Sequence, residues 1–112
     1  MLLAHLAFWD RWQIVRWQGA LAEGLAMPAD VSDGVADLAN GALEPTWRAL
    51  PGATAAELAL AAAAEVDALV AGLPDASVDA VVAAGRARLL DRSLHRADHM
   101  VRIRRVLGRT GD

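Results

Sequence analysis

Apolar side chains recur at intervals of three and four along most of this chain, the repeat of a helix with one buried face. The first such stripe reads Leu2, His5, Phe8, Trp12, Val15 and Gly19, with Leu6, Trp9 and Gln13 beside it and Asp10, Arg11 and Gln18 elsewhere. No helix breaker precedes Gly19, and Pro28 with the Ala29-Asp30 turn closes the segment, so the pattern predicts a helix over about residues 2–25. Such a helix is about 36 Å long at 1.5 Å per residue. It sets His5 on the core side.

A shorter element is predicted over 31–50. Ser32 or Asp33 is a natural N-cap for the run from Val35 to Asn40, and Gly41 and Pro45 predict an irregular or broken helix that ends at Trp47, Leu50 and the Pro51-Gly52 turn. Thr54-Ala55-Ala56-Glu57 has the spacing of a capping box and predicts a helix from there to about residue 73, where Gly72 and Pro74 stop it. Leu58, Leu60, Ala61, Ala64, Val66, Leu69 and Val70 give that helix its apolar character, and it reads as scaffold. The last helix is predicted from near Ser77, capped by Ser77 or Asp75, to about residue 107 before Gly108. Its stripe of Val81, Ala84, Arg88, Asp91, His95, His99, Arg102 or Ile103, and Val106 is polar in the middle. A polar centre between apolar ends is either a solvated face or a site buried in a bundle, and the two histidines favour the site.

Composition supports an all-α fold. With 112 residues, 55% hydrophobic and 22% charged, the chain has the material for one domain spanning 1–112 and one core. The apolar residues are mainly Ala, Leu and Val, with one Phe, four Trp and no Tyr, which favours helix over strand. The tryptophans, Trp9, Trp12, Trp17 and Trp47, read as packing groups. The stretch from Arg86 to Arg109 is arginine-rich, but Asp91 and Asp98 interrupt it, no aromatic accompanies it and the net charge is −3, which argues against nucleic acid as a partner. Glu57, Glu65 and Asp67 inside the apolar run 53–72 argue against a membrane, and residues 1–9 lack the basic start of a signal peptide, so a cytoplasmic protein is expected.

The chemistry lies in three histidines, His5, His95 and His99. Four residues apart on a helix, His95 and His99 stand one above the other with about 5–6 Å between Cβ atoms, so both can grip one ion, and a third imidazole on a facing helix would complete a pocket. Cysteine is absent, so a metal here takes imidazole, carboxylate and water. Singly, a histidine on an apolar face reads as a packed core group. Asp91 reads first as the i, i+3 ion-pair partner of Arg88, and otherwise as a further ligand or as acceptor for an imidazole N–H. Asp37 and Asn40, three residues apart, read as helix-surface or capping groups.

Three segments, in order, resemble one family. His5-Leu6-Ala7-Phe8-Trp9-Asp10, then Asp37-Leu38-Ala39-Asn40, then Asp91-Arg92-Ser93-Leu94-His95-Arg96-Ala97-Asp98-His99-Met100-Val101-Arg102-Ile103 are similar to the DinB-like superfamily of metal-binding four-helix-bundle proteins, which includes the mycothiol-dependent maleylpyruvate isomerase-like group. The resemblance implies an up-down helical bundle with a divalent metal, zinc first and nickel or iron next, on His5, His95 and His99. Three imidazoles leave a coordination position for water, the arrangement of a catalytic site. The implied activity is that of a hydrolase or of a thiol-dependent transferase or isomerase acting on a small molecule or a low-molecular-weight thiol, with no catalytic base assigned between Asp91 and Asp98. Family members carry a further long helix before the histidine-bearing one, whereas this chain begins at that helix; either the start lies upstream or a partner supplies the missing wall, and a homodimer is expected. The alternative reading is a non-catalytic dimeric helical-bundle protein, binding or structural, whose histidines only pack.

Overall fold

Helix α1, Leu2–Ala22, is the axis on which the other elements are laid in this computed structural model, which describes residues 1–90. Three more helices follow, α2 over Asp33–Ala49, α3 over Gly52–Ala71 and α4 over Asp75–Ala84, and then a 3-10 turn over Ala87–Leu89. The described residues contain no strand, so the fold is all-α. No helix among them is long and apolar enough to cross a membrane.

The turn chemistry sets where the helices stop. Gly24 takes the left-handed conformation at φ 75°, Gly24 N–H donates to Leu21 O, and Leu25 N–H donates to Ala20 O at 2.9 Å. This is the Schellman arrangement, in which a glycine past the last turn satisfies orphan carbonyls. It ends α1 three residues before the sequence pattern predicts. Gly85, at φ 68°, repeats the device at the end of α4, with Gly85 N–H on Val82 O and Arg86 N–H on Val81 O. The continuous helix predicted over 77–107 is therefore corrected: the helix starts at Asp75 and stops at Ala84, because a glycine free of a Cβ makes the αL stop inexpensive. The remainder of that predicted helix lies outside the described residues.

Two other boundaries differ. Helix α2 runs unbroken through Gly41 and Pro45. The ring of Pro45 crowds the carbonyl four residues back, and that residue is Gly41; both are exposed, so water can take the carbonyl that loses its N–H partner. Ser32 caps the helix as predicted, its Oγ accepting from Val35 N–H at 3.3 Å. Helix α3 starts at Gly52 with Pro51 as N-cap and no side-chain cap, so Thr54 and Glu57 do not form the predicted box; Ala55 N–H already donates to Pro51 O.

The dominant packing is α1 on α3, and it corrects the predicted core stripe. The buried residues of α1 are Ala4, Leu6, Ala7, Asp10, Ile14, Trp17 and Ala20, nearly opposite the stripe from Leu2 to Gly19, and Val15 of that stripe is 60% exposed. On α3 the buried residues are Ala55, Ala62 and Val66. Helix α1 is apolar on two sides, so periodicity did not choose between them. Small residues chose: alanines on both helices let the backbones close, while Phe8, Trp9 and Trp12 take the roomier side and Trp17 is buried at the far end. Arg11 Nη1 bridges to Glu65 Oε2 at 2.7 Å across the outer edge, a half-exposed pair worth about 0.2–1 kcal/mol.

Two apolar clusters occupy the ends of this pair. One joins Ala4, Trp47 and Ala55, with Phe8, Leu43 and Leu50 against them. The other joins Trp17, Leu73, Val81 and Leu89, with Met27, Leu69, Val70, Val78 and Leu90. Since Ala4 meets Ala55 and Trp17 meets Leu73, α1 and α3 run in the same direction and α2 returns between them.

Candidate functional site

His5 lies on α1 beside the aromatic side of the first cluster. Its ring meets Trp47 edge-on, centroids 5.1 Å apart at 77°, and Trp9 at 6.5 Å and 60°. Trp47 is 5% exposed and so forms a fixed wall, whereas His5 itself is only half-buried. Trp9 is held in turn: its Nε1–H donates to Asn40 Oδ1 at 2.8 Å, a bond from α1 to α2. Asn40, read from the sequence as a surface or capping group, is corrected to an interhelical anchor. Asp37 beside it is exposed, in keeping with that reading.

From His5 a groove of about 780 Å³ runs along α1. Its α1 wall is His5, Trp9, Gln13 and Arg16, spaced by four, four and three, and its α2 wall is Asp33, Ala36 and Asn40, spaced by three and four, so each helix contributes one helical face. Asp30, Val31 and the segment Gly85 to Leu89 close the far end. That end is firmly built. Arg86 Nη1 donates to Pro28 O at 2.7 Å and its Nη2 bridges to Asp30 Oδ1 at 2.9 Å, while Arg16 Nη2 donates to Ala29 O. Trp17 Nε1–H, fully buried, donates to Leu89 O at 3.0 Å and so pins the 3-10 turn to α1.

The described part of the chain holds one of the three predicted ligands. His5 opens on the groove, and His95 and His99 lie outside the described residues, as do Asp91 and Asp98. Among the described residues no three His, Asp or Glu side chains come together as a metal group. The half-exposed His5 imidazole, its ring set by Trp47 and Trp9, suits the part of one ligand at the edge of an open groove.

The sequence reading missed several groups. Asp10 is 1% exposed, not on an outer face as its neighbours suggested. Arg86, grouped there with an arginine-rich stretch, is committed to the 28–30 loop, and its side chain is 19% exposed. Gln13 and Arg16 gain their meaning only when α2 is set beside α1; the spacing of His5, Trp9 and Gln13 was a signal for this second face.

Compared with known proteins, the chain matches no family model, no curated protein and no solved structure.

Proposed function

We propose that the protein is a metal-dependent enzyme of the DinB-like type, a hydrolase or a thiol-dependent transferase or isomerase, with a divalent metal, zinc before nickel or iron, on His5, His95 and His99. The observation that carries this reading is the setting of His5: its half-buried ring is held by Trp47 at 5.1 Å and Trp9 at 6.5 Å at the edge of a groove of about 780 Å³. His95 and His99, the only other histidines of the sequence, have the four-residue spacing that lets two imidazoles share one ion on a helix.

His5, His95 and His99 would hold the metal, which would supply Lewis acidity toward a water or thiol when bound. The chain's own residues do the rest. Trp47 and Trp9 fix the His5 ring and keep water from one side of it. Gln13 offers an amide to a polar substrate in the groove, and Asn40, anchored through its carbonyl oxygen, still has an amide nitrogen to donate.

The test is metal content, by plasma mass spectrometry, of protein purified without chelators. About one metal per chain in the parent is expected, with loss in the double variant His95→Ala, His99→Ala and weaker retention in His5→Ala. A parent that stays empty after metal is added back overturns the reading.

A second reading, the non-catalytic dimeric bundle, is favoured by the outer side of α1. There Phe8, Trp12 and Val15 line an apolar hollow of about 260 Å³ between Arg11 and Arg16. Exposed apolar surface of this kind marks a contact site when contiguous. The homodimer, common to both readings, is tested by sedimentation at micromolar concentration: a dimer that becomes monomeric with Val15→Asp is expected, and a monomeric parent removes it.

A further inference from the structure

The groove between α1 and α2 gathers positive charge in a part of the chain that is otherwise acidic. Residues 1–90 carry five arginines and eleven acidic side chains. Three of those arginines, Arg16, Arg86 and Arg88, line the groove, whereas the described acidic residues in its lining are Asp30 and Asp33. The arginines stand at the far end, and Arg16 is eleven residues, about 16 Å of helix, from His5. Two of them are drawn to one short loop. Arg86 Nη1 donates to Pro28 O at 2.7 Å and its Nη2 bridges to Asp30 Oδ1 at 2.9 Å, while Arg16 Nη2 donates to Ala29 O, the carbonyl between those two residues. Successive residues lie about 3.8 Å apart, so the loop holds as neighbours two guanidinium groups that come from different elements. Such groups repel one another, and an anion held by both offsets that repulsion. A guanidinium has five N–H donors in a planar fork that matches a carboxylate, and Arg86 spends only part of its set on Met27 Sδ, Pro28 O and Asp30.

We propose that this end of the groove seats a carboxylate, and that the groove takes a small monocarboxylate with an apolar body. The carboxylate lies on Arg16, Arg86 and Arg88, and the body runs along Trp9 and Ala36 toward His5. Three guanidiniums against two carboxylates leave one positive charge in the described lining, which a single negative charge matches. Trp9 is a fixed surface, because its Nε1–H is bonded to Asn40 Oδ1. Seven residues, about 10 Å of helix, separate it from Arg16, the reach of a phenyl ring on a short alkyl chain. The site shares its groove with the proposed metal centre but requires neither the metal nor His5.

The experiment is calorimetric titration of 4-phenylbutyrate into the full chain, stripped of metal over a chelating resin because a soluble chelator is itself a carboxylate. Binding is expected, with the neutral 4-phenylbutyramide about tenfold weaker or worse, since hydrogen bonds to a charged group are lost. Phenyl phosphate, with close to two charges, is expected to bind more weakly beside the Asp33 carboxylate. Arg16→Gln and Arg88→Gln each weaken 4-phenylbutyrate about tenfold. Arg48→Gln, which changes an exposed arginine paired with Glu44 on α2, leaves it unchanged. Asp33→Asn tightens it, a gain that a loosened fold does not produce. Arg86 is left intact because it holds the 28–30 loop, and Arg88, being exposed, supplies the variant least able to disturb folding. The proposal is overturned by an amide that binds as tightly as the carboxylate, by an affinity indifferent to Arg16, Arg88 and Asp33, or by no binding at millimolar 4-phenylbutyrate. Tighter binding of phenyl phosphate overturns the single-charge match. Carboxylate binding by the stripped chain and metal content of the unstripped parent are separate measurements, so either can fail alone.

Discussion

Single residues decide two of the least repetitive features here, a stop and an anchor. Gly85 sits at φ 68°, and an added Cβ meets no atom within 4 Å, so the cost of substitution is conformational and not steric crowding. Gly85→Ala is expected to destabilise by about 1–2 kcal/mol, read as a lower urea midpoint at unchanged slope. Asn40 is the anchor. Asn40→Ala leaves the half-buried indole N–H of Trp9 without its 2.8 Å acceptor, a loss of about 0.5–1.5 kcal/mol, and shifts Trp emission as the indole loses that bond. Neither role was legible from residue type. A glycine inside a helical pattern and an asparagine on a polar face are each compatible with the opposite outcome, and only the backbone angle or the facing helix decides. Ser32 was legible, because its partner, Val35 N–H, is three residues away and needs no tertiary contact.

At the scale of elements, local patterns located the helices and tertiary packing oriented them. Each of the four described helices begins within two residues of where the spacing and cap signals put it, because those signals are properties of each segment alone, whereas the fourth stops at Ala84, far short of the predicted 107. The buried side of α1 is another matter, because an apolar helix with two usable faces is turned by its partner. Helix α3 offers Ala55, Ala62 and Val66, and a narrow ridge of that kind selects Ala4 and Ala7 over Phe8 and Trp12. On α3, bulk therefore does not set the ranking: Ala62 is buried and Leu60 is exposed. Ala62→Leu, at a site 2% exposed, is expected to cost about 1–3 kcal/mol by overpacking, whereas Leu60→Ala, at a site 74% exposed, changes stability by less than about 0.5 kcal/mol. Chemical denaturation of the two variants side by side checks this. A larger loss at Leu60 would return α3 to the stripe its sequence suggests.

For the whole molecule, the proposed site makes metal, proton and fold one linked system. His5 was legible as a candidate because it is one of only three histidines, and the groove it opens on was not, since that groove exists only between two helices and the turn closing its end. If the ligands are brought together only in the folded chain, metal binds the folded state alone, and a free concentration of 100 times Kd stabilises by about 2.7 kcal/mol. Protons compete for the same nitrogens, because an imidazole must be neutral to ligate. The sign follows directly: the metal-dependent increment is complete above the ordinary histidine range, near pH 6.5, and disappears as pH falls through it. Thermal melts with and without zinc, at pH 7.5 and at pH 5.5, are expected to differ at the higher pH and coincide at the lower. His5→Ala shrinks the increment at pH 7.5, and His95→Ala, His99→Ala removes it. An increment of equal size at both pH values would place the metal on carboxylates instead, for which Asp30 and Asp33 at the far end of the groove are the nearest described candidates.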